Sequence, residues 1–148
     1  MEQVQDQPDQ PENERYFEGQ METLKELFEE QQENPDLDPW HWILCVDQMT
    51  EPVTYTEYDE ETGEEMEYET GEYLVTGHIF RITWGGPEAS IICKNNEGKH
   101  LHYEYNDWFG SDFLRRYLTG EQEDHFMALF GAYFEFIEEE KKVGAVVN

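Results

Sequence analysis

The sequence predicts an α+β domain: an antiparallel meander of four or five strands with helices packed on one face. Three observations predict it. Apolar residues between positions 16 and 34 recur at helical spacing. From Pro52 to Tyr105 they alternate, punctuated by glycine-bearing turns. After Thr119 the helical spacing returns. Helix, then strands, then helix is the order of an α+β domain rather than of repeated βαβ units. A chain of 148 residues, 37% hydrophobic and 15% aromatic, is large and apolar enough to bury one core.

The elements follow in order. Residues 1–15 (MEQVQDQPDQPENER) are rich in Gln, Pro and acid, so they read as a disordered acidic arm, leaving 16–148 as a single domain. Phe17, Met21, Leu24 and Phe28, with Leu27 beside them, form one face of a helix ending near Asn34-Pro35. Asp38-Pro39 suits an N-cap and first helical position. The following WHWILCVDQM therefore leans to helix, although Trp42, Leu44 and Val46 alternate as in a strand; periodicity leaves residues 39–49 open.

Val53–Glu60 and Glu64–Thr70 read as a hairpin around Thr62-Gly63. Tyr73–Trp84 is the strongest strand signal, with Gly77 as a bulge. Gly85-Gly86-Pro87 turns the chain into a strand at Ala89–Lys94. Asn95-Asn96-Glu97-Gly98 turns it again into a last strand at His100–Tyr105. Ser111 is placed to cap a short helix through Phe113, Leu114, Tyr117 and Leu118. Thr119 and Gln122 have capping-box spacing for a final helix carrying Phe126, Leu129, Phe130, Tyr133, Phe134 and Ile137. Lys141-Lys142 and Gly144 end it.

Charge bounds the function. The formal net charge is −27, where a magnitude of about 2–8 keeps a small domain soluble. Such a chain does not attract nucleic acid or an anionic membrane; it favours a basic partner. The acid is uneven. Residues 73–120 hold five acids and five bases, whereas Glu51–Glu72 (EPVTYTEYDEETGEEMEYETGE) holds ten acids and no Lys, Arg or His. Adaptation to high salt would spread the acid over the whole surface. Cys45 and Cys93 are the only cysteines, no signal peptide opens the sequence, and no apolar run approaches the roughly 20 residues of a membrane span. The expectation is a cytoplasmic protein with reduced thiols.

The acidic hairpin is the main candidate site. In its second strand Glu65, Glu67 and Glu69 point one way while Met66 and Tyr68 point the other. Alternate strand residues lie roughly 6.6 Å apart. Two carboxylates about 7 Å apart repel by roughly 0.6 kcal/mol in water and several times more near a protein surface. A charged sheet edge that discourages aggregation needs two or three charges, with lysine favoured. Ten acids without lysine exceed that need. The loop Asp59-Glu60-Glu61-Thr62-Gly63-Glu64 lacks the EF-hand order, because Gly63 falls at its fifth position. No metal site is expected there.

Other constellations are weaker. His100 and His102 share a strand face, and His78 on a nearby strand would complete a zinc triad if the three converged; ordinary sheet histidines are the simpler reading. No GxSxG, HExxH or phosphate-cradling loop appears, and the only serines are Ser90 and Ser111. No catalytic residue and no cofactor is expected. Arg115-Arg116 reads as local pairing with the acidic helices. Four Trp, nine Tyr and nine Phe are more than one small core readily buries, which points to a homodimer seam or a partner surface.

The run ITWGGPEASIICKNNEGKHLHYEYNDWFG resembles a pattern in small, uncharacterised acidic proteins of phages and mobile elements: a strand, GGP, a second strand, a Gly turn, and a strand closing in an acid-Trp pair. Here these are Gly85, Gly86, Pro87, Gly98, Asp107 and Trp108, within residues 79–109. The resemblance implies a mobile-element origin, a setting in which acidic inhibitors of nucleases and other DNA-binding defence proteins are common. It implies no activity. The function expected from charge is that of a DNA or RNA mimic, not an enzyme, blocking the cleft of a basic nuclease such as a restriction or CRISPR effector. Glu57, Asp59, Glu60, Glu61, Glu64, Glu65, Glu67 and Glu69 would stand in for phosphates, and Tyr55, Tyr58 and Tyr68 would stack on arginines. The alternative is an immunity-type protein that neutralises a basic toxin without mimicry.

Overall fold

The computed structural model describes residues 11–83, 87–107 and 112–137. Helix α1 (Glu12–Glu33) leads into a 3-10 turn (Pro39–Trp42), then strands β1 (Cys45–Tyr58), β2 (Glu65–Thr83), β3 (Glu88–Cys93), β4 (His102–Asn106) and β5 (Phe113–Tyr117), and helix α2 (Gly120–Phe130). A further helical segment, 132–137, follows. The five strands form one antiparallel sheet in sequential order. The expected α+β meander is therefore present, with five strands.

Residues 39–49 hold both of the alternatives left open. Asp38 accepts from the Trp40 amide and starts the 3-10 turn, and β1 begins three residues after it ends. The helix expected over Phe113–Leu118 is instead strand β5, paired residue for residue with β4 from His102↔Tyr117 to Asn106↔Phe113. Ser111, expected to cap it, lies outside the described residues, as do Gly85, Gly86, Trp108 and the Lys141-Lys142 and Gly144 stop signal. The strand expected to be last is thus fourth, and it starts at His102. Helix α1 starts at Glu12, so the last residues of the expected arm are helical; Asn13 is buried and its amide donates to Asp112 at 2.6 Å. The capping box at Thr119 and Gln122 forms in both directions.

Register defines the core. Phe80, Ile91 and Tyr103 are cross-strand partners, so they share a face, and all three are fully buried. Helical aromatic contacts go to that face. Phe17 and Tyr16 of α1 meet Tyr103 and Tyr105, Phe126 of α2 meets Phe80, and Trp40 bridges Phe80 and Phe130. Fully burying such side chains stabilises by about 1.5–3 kcal/mol each. The opposite face carries Ile79, Arg81, Ser90, Ile92, His102 and Glu104, again fixed by partnering.

Candidate functional site

Strands β1 and β2 are far longer than the rest of the sheet, at 14 and 19 residues. Only the N-terminal part of β1 and the C-terminal part of β2 pack in the domain. Beyond them the two strands continue as a two-stranded ribbon in which every residue from Glu51 to Leu74 is exposed except Val53, which is half-buried. At about 3.3 Å per residue, the eight residues from Glu51 to Tyr58 give an arm of roughly 25 Å.

Two irregularities of β2 set the ribbon. Between Pro52↔Tyr73 and Thr54↔Glu69 the second strand has extra residues, and Gly71 takes φ 89° among them. Nearer the domain the register shifts again at Thr76, beside Gly77. Gly77 itself is required by close approach: a Cβ there would lie 2.7 Å from the Cys93 carbonyl oxygen and 2.9 Å from Met49 Sδ. Extra residues in one strand bend it and increase its twist. At the tip, Asp59 closes the loop by accepting from the Glu61 and Thr62 amides, while its own backbone pairs with Glu64 and Gly63.

The pairing assigns faces. Glu65, Glu67 and Glu69 stand opposite Tyr58, Thr56 and Thr54, so the expected carboxylate row exists and shares its face with Tyr58. Met66 and Tyr68 stand opposite Glu57 and Tyr55 on the other face, where Tyr55 and Tyr68 stack with ring centroids 5.6 Å apart. The three tyrosines expected to act together are therefore divided between faces. Among the eight acids singled out from sequence, Asp59 is committed to the turn, and Glu60, Glu61 and Glu64 surround it. Among the described residues no ion pair reaches any hairpin carboxylate; the arginine and lysine pairs are all elsewhere. Nor do three or more hairpin acids converge in an arrangement able to hold a metal ion, among the described residues.

The histidines do not form a site either. His78 is a core residue: Nε2 donates to Asn96 Oδ1 at 2.7 Å and Nδ1 lies 3.1 Å from the Tyr133 hydroxyl. His78 pairs with Cys93, but His102 pairs with Ile92, one residue away, which places the two on opposite faces. His100 is exposed in a left-handed turn conformation. Burial lowers the pKa of His102, partly offset by Glu104, which accepts from its Nε2 at 2.9 Å. The Cys93 thiol is pushed up by burial and Cys45 is half-buried; both are free.

One group of residues was not foreseen. The sheet face opposite Phe80, Ile91 and Tyr103 carries an ordered charge network over the buried Ser90, Ile92 and His102: Arg81 bridges Asp47 and Glu88, and Glu104 joins His102 to Arg115. The exposed aromatics Phe113 and Tyr117 of β5 flank it. Misreading β5 as helix hid this face, because alternation along FLRRY is what places Phe113, Arg115 and Tyr117 together. No protein-family model matches the chain, and neither the curated proteins nor the solved structures give a significant match.

Proposed function

We propose that this protein is a non-enzymatic inhibitor that imitates DNA or RNA and occupies the nucleic-acid-binding cleft of a basic protein, with a restriction or CRISPR-type nuclease as the target class. The observation that carries the reading is the ribbon itself: ten carboxylates on a projecting two-stranded arm, none buried and none in an ion pair among the described residues. Isolated two-stranded ribbons are marginal in water, and mutual repulsion weakens this one further. The domain core gains nothing from it. Its use therefore lies in what it meets.

A nucleic-acid strand offers one charge per nucleotide with about 3.4 Å of axial advance, and more through space as the backbone winds. The row Glu65, Glu67, Glu69 offers one per roughly 6.6 Å, extended at the tip by Glu60, Glu61 and Glu64. Tyr58, on the same face, is placed to cover an arginine of the target once the row is engaged. Tyr55 and Tyr68 face away and are assigned no part in this contact. The reading places the protein in the cytoplasm, where such a target meets its substrate, and makes a phage or mobile element its expected source. Among the described residues no helix is long and apolar enough to cross a membrane.

The test is capture of partners from a bacterial lysate at low salt, elution with duplex DNA, and identification by mass spectrometry. A mimic releases its target to DNA, and a nuclease or other DNA-binding protein is expected in that eluate. A partner that ignores DNA and leaves only at high salt would replace this reading with the immunity-type one.

A further inference from the structure

We propose that two copies of the chain associate through the sheet face that carries Arg81 and Arg115, each laying the aromatic side of its ribbon across strand β5 of the other. Parity carries the first step. Among the ten large apolar side chains exposed in the described residues, six stand on one continuous face: Tyr55, Met66, Tyr68 and Leu74 on the ribbon, Phe113 and Tyr117 on β5. Odd-numbered β1 residues mark this face from Asp47 and Cys45 out to Glu57. The six form two exposed apolar patches, one on the ribbon and one on the edge strand β5, with the charge network between them, and patches rimmed by polar groups in this way mark interaction sites.

Charge selects the occupant. In the middle of the face two arginines answer three acids: Arg81 holds Asp47 and Glu88, and Arg115 holds Glu104. A basic partner finds little excess negative charge there, whereas a second acidic chain finds its least repulsive surface. The ends differ. A two-fold that laid ribbon on ribbon would set ten carboxylates against ten. The two-fold that lays ribbon on β5 brings Glu57, from the Tyr55–Tyr68 face, toward Arg115, whose guanidinium already covers the Phe113 ring at 5.7 Å. Such a contact is self-complementary, as a two-fold interface must be.

Area agrees. Five short strands at about 4.8 Å spacing and some 17–20 Å long present roughly 400–500 Å², short of the ~800 Å² per partner of a stable interface. Adding the ribbon brings the face close to that size. The carboxylate row Glu65, Glu67, Glu69 is on the opposite side of the ribbon and stays outward, so the association does not depend on what the row binds.

Sedimentation equilibrium of the full chain at physiological salt tests this. The expected mass is twice the 17.7 kDa of one chain. Two variants are compared, Tyr55→Ser/Tyr68→Ser on the ribbon and Phe113→Ser/Tyr117→Ser on β5, with circular dichroism confirming that each stays folded. Each is expected to weaken self-association at least tenfold. Mixed together they should form a heterodimer more tightly than either self-associates, because one intact ribbon meets one intact β5. A monomeric wild type leaves the face to some other occupant and overturns the proposal. So does a mixture with no gain, which would mean that ribbon and β5 do not meet. A loss of target binding in Glu65→Lys/Glu67→Lys/Glu69→Lys with the dimer intact separates the failure of one reading from that of the other.

Discussion

At the scale of single residues, the sharpest expectations concern Gly77 and His102. Gly77 sits where β1, β2 and β3 crowd, and its Cβ would press first on the Cys93 carbonyl oxygen, which is backbone, and then on Met49 Sδ. Gly77→Ala is expected to destabilise by about 1–3 kcal/mol, as overpacking does, read as a lower urea midpoint with unchanged slope. His102 is 1% exposed and its pKa is lowered, first by burial and further by Arg115 and Lys94, against the pull of Glu104. The unfolded chain takes up this proton near pH 6.5, the folded chain only below that. Stability contributed by neutral His102 is therefore full above about pH 6.5 and lost as pH falls below it. The difference in unfolding free energy between wild type and His102→Gln should shrink between pH 7.5 and 5.5. A constant difference would mean that His102 does not change its protonation differently in the two states.

At the scale of elements, the ribbon is separable from the domain. Residues 51–74 bury almost nothing, and their cross-strand contacts are with each other. Replacing 54–69 by a two-residue turn is expected to leave the unfolding midpoint within a few degrees of wild type, or to raise it by removing like charges. A collapse of the midpoint would mean that the ribbon supports the core. Much of this was legible beforehand. The helix of Met21 and Leu24, the capping box at Thr119 and the alternation of the acidic hairpin each carry a local signal that the fold obeys. What was not legible depended on register or distant partners. Phe113, Leu114, Tyr117 and Leu118 mimic helical spacing because β5 exposes its aromatics on the face of the charge network while burying Leu114 on the other, so apolar residues lie on both sides of the strand. His78 and His102 end on opposite faces through a one-residue offset at Cys93 and Ile92, which no spacing within either strand reveals. Asn13 is held by Asp112, 99 residues away, so the start of α1 could not be read locally. The separation of Tyr55 from Tyr58 follows from parity within one strand and was available in the sequence, whereas the side taken by Tyr68 is set by its pairing with Tyr55.

At the scale of the molecule, the question is whether a basic target reads the net charge or the row. Long-range attraction speeds encounter for any strongly acidic protein and falls with ionic strength, since the screening length is about 8 Å at physiological salt. A mimic adds local register, in which each carboxylate replaces one phosphate. Two variants of equal net charge separate the effects. Glu65→Lys/Glu67→Lys/Glu69→Lys and Glu22→Lys/Glu26→Lys/Glu29→Lys each shift the charge by two units per substitution, from −27 to −21. The first reverses the ribbon row, and the second reverses exposed positions on α1. Both leave a strongly acidic chain, so steering survives in both. With the captured target in hand, the ribbon variant is expected to lose at least a hundredfold in affinity, mostly through faster dissociation. The helix variant should lose less than tenfold, mostly through slower association. Raising salt from about 0.1 to 0.5 M should weaken the wild type by orders of magnitude and the ribbon variant far less, because the contacts that salt screens are already gone. Equal losses in the two variants would mean that the target senses only overall charge, and the ribbon would then have no privileged place in binding.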